Sequence, residues 1–168
     1  MRLVAALFGA AALALASAAS AQTLETVSYS PAFQTELETE LGLREGEYLS
    51  TNVSNAISAA IARRNVAPAP IQIEVVIEDA QPNRFTMQQL RSRPGVDWMR
   101  SVSVGGAELR AVLRGADGAV LTEVEHSRYT TSLRDLFYEP MTWTDAQRAI
   151  RQFAEKVADA YVAQSQAR

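Results

Sequence analysis

The chain contains no cysteine. That excludes a disulfide, a thiolate metal site and a lipid-modified amino-terminal cysteine, so core packing alone has to hold the fold. Histidine and lysine are nearly absent as well: His126 is the only histidine and Lys156 the only lysine, and every other basic residue is arginine. One histidine without cysteine does not make a zinc site, which usually takes three or four ligands. There is no Gly-x-Ser-x-Gly turn to expose a nucleophile, and Gly105-Gly106 is followed by neither the lysine nor the helix of a phosphate-binding loop. A formal net charge of -3 supplies no basic face, which argues against nucleic acid as a partner. No cofactor and no metal are expected.

Long apolar runs are also missing after the amino terminus. The one candidate follows Arg2: an uncharged stretch from Leu3 to Ala16, rich in alanine and leucine, and then small residues ending Ala19-Ser20-Ala21. That order is the signature of a secretory signal peptide. The run is about 14 residues and mostly alanine, short of the roughly 20 strongly apolar residues that cross a bilayer. We therefore read residues 1–21 as a cleavable signal peptide and residues 22–168 as a single α+β domain, periplasmic or secreted, with no stable membrane insertion after cleavage. Loss of Arg2 takes the net charge from -3 to -4.

Periodicity supplies the elements. Leu24 to Tyr29 alternates as a strand, and Ser30-Pro31 reads as an N-cap with proline at the first helical position. Phe33, Leu37 and Leu41 then repeat along one helical face, with Gly42 placed to stop the helix. A second helix carries Leu49, Val53, Ala56, Ile57, Ala60 and Ile61 on one stripe until Ala67-Pro68-Ala69-Pro70 breaks it. In Ile71 to Glu78, isoleucines and Val75 alternate with Gln72, Glu74 and Glu78, predicting one buried and one wet face. Glu74 and Glu78 then either form a carboxylate pair or belong to that solvated face, the simpler reading.

A hairpin is predicted from about Ser101 to Tyr129, turning at Ala116-Asp117-Gly118. With Gly115 to Gly118 as the loop, Leu113 faces Val120, Ala111 faces Thr122, Leu109 faces Val124 and Arg110 lies opposite Glu123. The inward parity changes between Val104 and Ala107, so a β-bulge is expected at Gly105-Gly106; an anion-binding nest of backbone N–H groups is the other reading of those glycines. Thr142 to Asp145 fits a helix start with Asp145 at the N3 capping position, and the stripe from Trp143 to Tyr161 defines the last helix. The order β-α-α-β-β-β-α implies a two-layer α+β sandwich: a mainly antiparallel sheet of about four strands with helices on one face.

Chemistry has few places to sit. The connection from Asp79 to Arg100 is long for a compact domain, and connections of that length have their own structure or a task. Thr86 is placed to cap a helical turn through Leu90, and Arg93-Pro94-Gly95 marks a bend. Asn83, Arg84, Gln89, Trp98 and Arg100 are its candidate binding residues, because planar donors and rigid aromatic area suit a contact surface. The alternative is that Phe85, Leu90, Val96 and Trp98 plug the edge of the core. His126 is expected to point toward the helices near a sheet end; it is the remaining candidate binding residue, and with Ser101, Ser103 or Asp135 it is the only machinery available to a hydrolase. Tyr129 to Pro140 reads as a strand end and a loop packing onto the last helix.

Four stretches carry a likeness: Arg44 to Leu49, Asp79 to Arg84 with Thr86 and Gln89, Ser101 to Ala107, and Thr142 to Ala146. On these the chain resembles uncharacterised exported domains of alphaproteobacteria. The resemblance implies a self-contained periplasmic domain and no particular reaction. The expectation is a non-catalytic binding or interaction module of the cell envelope, its partner an envelope protein or a small ligand. A small envelope-acting hydrolase and an oligomeric structural protein are the alternatives.

Overall fold

The computed structural model describes residues 25–97, 100–132 and 140–167. The leader at 1–21, Trp98, and Arg134, Asp135, Phe137 and Tyr138 of the late loop lie outside them. The elements run β1 (Glu25–Tyr29), α1 (Pro31–Glu36), a π-helical turn (Leu37–Leu41), α2 (Leu43–Arg63), β2 (Gln72–Gln81), α3 (Met87–Ser92), β3 (Gly106–Arg114), β4 (Val120–Tyr129) and α4 (Thr144–Gln166). The protein is an α+β two-layer structure: one sheet in the order β1-β2-β3-β4, with α4 packed on β3 and β4, and α2 on α4 and β1. β1 joins β2 in parallel, while the β2-β3 and β3-β4 pairs are antiparallel.

Local chemistry explains the starts and stops. Ser30 accepts from Phe33 N at 3.2 Å while Pro31 opens the helix, where its missing N–H costs nothing. Gly42 ends the turn at φ 105°, a conformation glycine adopts without strain. Phe33, Leu37 and Leu41 are all buried, and from α2 so are Leu49, Val53, Ile57 and Ala60. These meet Ile73, Val75 and Ile77 of β2, Leu109, Ala111 and Leu113 of β3, and Ile150, Phe153, Val157 and Tyr161 of α4 in a single core. Tyr161 satisfies its hydroxyl there by accepting from Ala69 N at 2.8 Å.

Three expectations are corrected. The hairpin register is two residues away from the predicted one: Leu109 lies opposite His126, Ala111 opposite Val124, Leu113 opposite Thr122 and Arg110 opposite Glu125. The loop extends through Ala119, closed by Gly115 N to Ala119 O, and a register shift next to it passes Leu121 without a partner. Arg110 takes Glu78 of β2 as its ion partner at 3.0 Å, and Arg114 takes Glu74 at the same distance. The two carboxylates therefore belong to a charge ladder on the sheet face away from the helices.

The parity change is also elsewhere. β3 starts at Gly106, and the irregularity is in β2 between Ile77 and Asp79, after which the inward position passes to Ala80, wholly buried. Gly106 is required for another reason: a Cβ there would strike Arg128 O and lie 2.6 Å from Tyr129 Cα. Finally, α4 starts at Thr144 with no side-chain cap, and Asp145 turns inward. Its carboxylate accepts from the buried amide of Asn83.

Candidate functional site

β2 leaves the sheet at Gln81 and enters a buried polar knot. Asn83 has no exposed surface and Asp145 is 1% exposed. Asn83 Nδ2 donates to Asp145 Oδ2 at 2.6 Å and to Ser103 O at 3.2 Å, while its Oδ1 accepts from Asp145 N at 2.9 Å. The backbone of Asn83 is engaged too, donating to Thr142 O and accepting from Ser103 N. Arg148 Nη1 lies 2.9 Å from the second Asp145 oxygen. Every acceptor of the carboxylate thus faces a donor, as a buried charge requires. Arg84, 8% exposed, donates through Nε to Pro140 O. Trp143 Nε1 donates to Glu45 Oε2 at 2.6 Å, fastening the start of α4 to that of α2.

The knot positions a cleft of about 690 Å³. It is lined by Gln81-Pro82 and Arg84-Phe85 at the end of β2, by Gln89 of α3, by the segment from Arg100 to Val104 and by Glu36. The α3 wall is rigid for its size because it starts with a capping box: Thr86 Oγ1 accepts from Gln89 N, and Gln89 Oε1 accepts from Thr86 N at 3.0 Å. The Arg93 guanidinium lies 5.3 Å from the centre of the Phe85 ring, a cation–π contact on the same wall. Arg100 is 90% exposed in its side chain and lies 3.6 Å from Asp97. Glu36 is held above its ordinary carboxylate range by partial burial, and further by Asp79 and Glu40.

Arg84, Gln89 and Arg100, three of the candidate binding residues, line this one cleft. Asn83 lies beneath it, its amide spent in the knot. Trp98 lies outside the described residues. His126 is elsewhere: it points toward α4, with Nε2 3.2 Å from Gln152 Oε1. Partial burial, with Lys156 and Arg128 nearby, lowers its pKa, while the Gln152 contact acts in the opposite sense. Of the serines named with it, Ser103 is committed otherwise, its Oγ donating to Pro82 O.

Other features are not legible in the residue pattern. Asp145 looks like a helix cap in sequence, and Glu36 carries no signal of its own. A second groove, of about 530 Å³, runs between α2 and α4 and is lined by Asn52, Asn55, Arg63, Gln147 and Glu155 with alanines between them. At the same end of the sheet as the cleft, Tyr129 donates to Asp79, and burial, then that carboxylate, raises the phenol well above its usual range. Among the described residues no group of three or more His, Asp or Glu side chains is placed to hold a metal ion, and no helix is long and apolar enough to cross a membrane.

Comparison with known proteins leaves the site to be read from its own chemistry: no family model, no curated protein and no solved structure matches the chain.

Proposed function

We propose that the protein is a non-catalytic binding module of the bacterial cell envelope, exported by its amino-terminal leader and contacting its partner through the cleft between α3 and the Arg100 to Val104 segment. The observation that carries this reading is the convergence of Arg84, Gln89 and Arg100 on one cleft, built by the connection whose length called for a task. Its chemistry is that of recognition. An apolar wall from Phe85 and the valines adjoins guanidinium groups, and the scaffold beneath is fixed by a saturated polar knot. His126, the group a hydrolase would need, faces a glutamine amide.

The test is an affinity capture from the host's own envelope extract, run in parallel with the wild-type chain and with Arg100→Glu. Arg100 is exposed and its replacement leaves the core intact. A partner retained by the wild type and lost by the variant, with unchanged circular dichroism, supports the cleft as the contact. The same partner held equally by both removes Arg100 and its cleft from the account.

A further inference from the structure

The groove between α2 and α4 shares no lining residue with the cleft. Ala56, Ala59 and Ala154 line it with little more than methyl groups, which leaves it open. Asn52 and Asn55 line it from the middle of α2, where asparagine is a poor helix former because its amide competes for backbone hydrogen bonds. Asn52 does compete, donating through Nδ2 to Tyr48 O at 2.6 Å, and its Oδ1 is left as an acceptor. Asn55 gives the helix nothing in return: among the described residues its amide has no partner. From α4, Gln147 donates through Nε2 to the hydroxyl of Tyr48, itself 42% exposed, and keeps its Oε1 open. Arg151 and Glu155 are four residues apart on α4, a spacing that pairs opposite charges on a helix surface. Glu155 turns to α2 instead, with Oε1 2.5 Å from Arg63 and Oε2 2.7 Å from Arg64. Arg151 therefore keeps an exposed guanidinium that no carboxylate occupies among the described residues.

We infer that this groove binds a short saccharide bearing a carboxylate, its hydroxyls held by Asn52, Asn55 and Gln147 and its carboxylate by Arg151. The site is additional to the cleft and takes a different class of ligand. A sugar hydroxyl both donates and accepts, and a primary amide offers both roles on one planar group. The open groups match that pattern: Asn55 supplies donor and acceptor, and Asn52 and Gln147 supply acceptors. The guanidinium of Arg151 adds the planar fork that a carboxylate takes with two hydrogen bonds. Tyr48 presents a ring with an apolar body, its polar tip held by Gln147, and such a surface suits the C–H face of a sugar ring. An inorganic anion would use Arg151 alone and leave the amides unspent, while an apolar guest would strip water from them without replacing its hydrogen bonds. The groove volume, about 530 Å³, is in the range that holds a small ligand.

The experiment is an NMR titration of the full chain with digalacturonate, read at the side-chain amide signals of Asn52, Asn55 and Gln147. Galactobiose, its neutral counterpart, and succinate, a carboxylate without a sugar ring, are titrated beside it. The expected result is movement of those amide signals with both disaccharides, digalacturonate binding about tenfold more tightly than galactobiose, and no movement with succinate. Arg151→Gln is expected to erase the difference between the two disaccharides, and Asn55→Ala to weaken both severalfold. Both side chains are exposed, and unchanged circular dichroism confirms that each variant is folded. Amide signals that stay still throughout, or an Arg151→Gln chain that distinguishes the two disaccharides as the wild type does, overturn the site. Succinate that moves the signals as far as digalacturonate does reduces the groove to an anion contact and overturns the saccharide. The cleft is judged separately, because Arg100→Glu leaves every lining residue of the groove in place.

Discussion

Asn83 and Asp145 are 62 positions apart in the chain and hold each other through two hydrogen bonds, amide to carboxylate at 2.6 Å and backbone N–H to amide oxygen at 2.9 Å. Their pairing ties the exit of β2 to the first turn of α4, and the cleft lies on top of it. Asn83→Ala leaves a buried carboxylate without its closest donor. Chemical denaturation is expected to report a loss of about 3 kcal/mol, with Asp145→Ala costing a similar amount and the double variant less than the sum. Additive losses would mean that the two side chains act independently.

Gly106 is predicted to be irreplaceable by alanine. The added methyl meets main-chain atoms of Arg128 and Tyr129, which cannot rotate aside as a side chain can. Thermal unfolding of Gly106→Ala is expected to show a loss of several kcal/mol, about 3 or more, from a substitution that adds one carbon. Gly95→Ala is the control: a Cβ there meets nothing within 4 Å, although its φ of 96° adds some backbone strain.

His126 makes stability depend on pH in a defined direction. Its folded pKa is lowered, first by partial burial and then by Lys156 and Arg128, so the unfolded chain binds the proton more readily. The contribution is intact above the ordinary histidine value of 6.5 and is lost as the pH falls below it, through the depressed folded value. Thermal melts should show the wild type losing stability relative to His126→Gln as the pH falls from 7 to 5. Parallel profiles would show that the histidine titrates as it does in the unfolded chain.

Glu36 acts in the opposite sense. Its carboxyl is raised, chiefly by burial, so the folded state binds the proton more tightly than the unfolded chain does. The favourable contribution is present below the ordinary value of 4.5 and disappears as the pH rises through the raised one. Glu36→Gln should therefore melt higher than the wild type at neutral pH, and the advantage should shrink on acidification toward pH 4. A variant less stable at neutral pH would contradict this.

Much of the fold is legible because burial is periodic. The stripes of α2 and α4 and the alternation in β2 mark their faces directly, and Ser30-Pro31, Gly42 and Thr86 mark element ends through the hydrogen bonds those residue types can make. The hairpin register is illegible for a related reason. A slip of two residues keeps every side chain on its own face, so Leu109 opposite Val124 and Leu109 opposite His126 satisfy the same pattern. The bulge expected at Gly105-Gly106 lies instead in the neighbouring strand, past Glu78, which only the pairing reveals. In the candidate site, the residue types that suit a contact surface identify Arg84, Gln89 and Arg100. Asp145 escapes because its partner is distant in the chain.

The most direct measurement is site-specific photo-crosslinking in the native host, with the photoreactive residue placed at Ser101 on the cleft wall and, as the comparison, at Asn55 in the helical groove. The account predicts a discrete adduct with one polypeptide from position 101 and none from position 55. An adduct formed only from position 55, or equally from both, would contradict it.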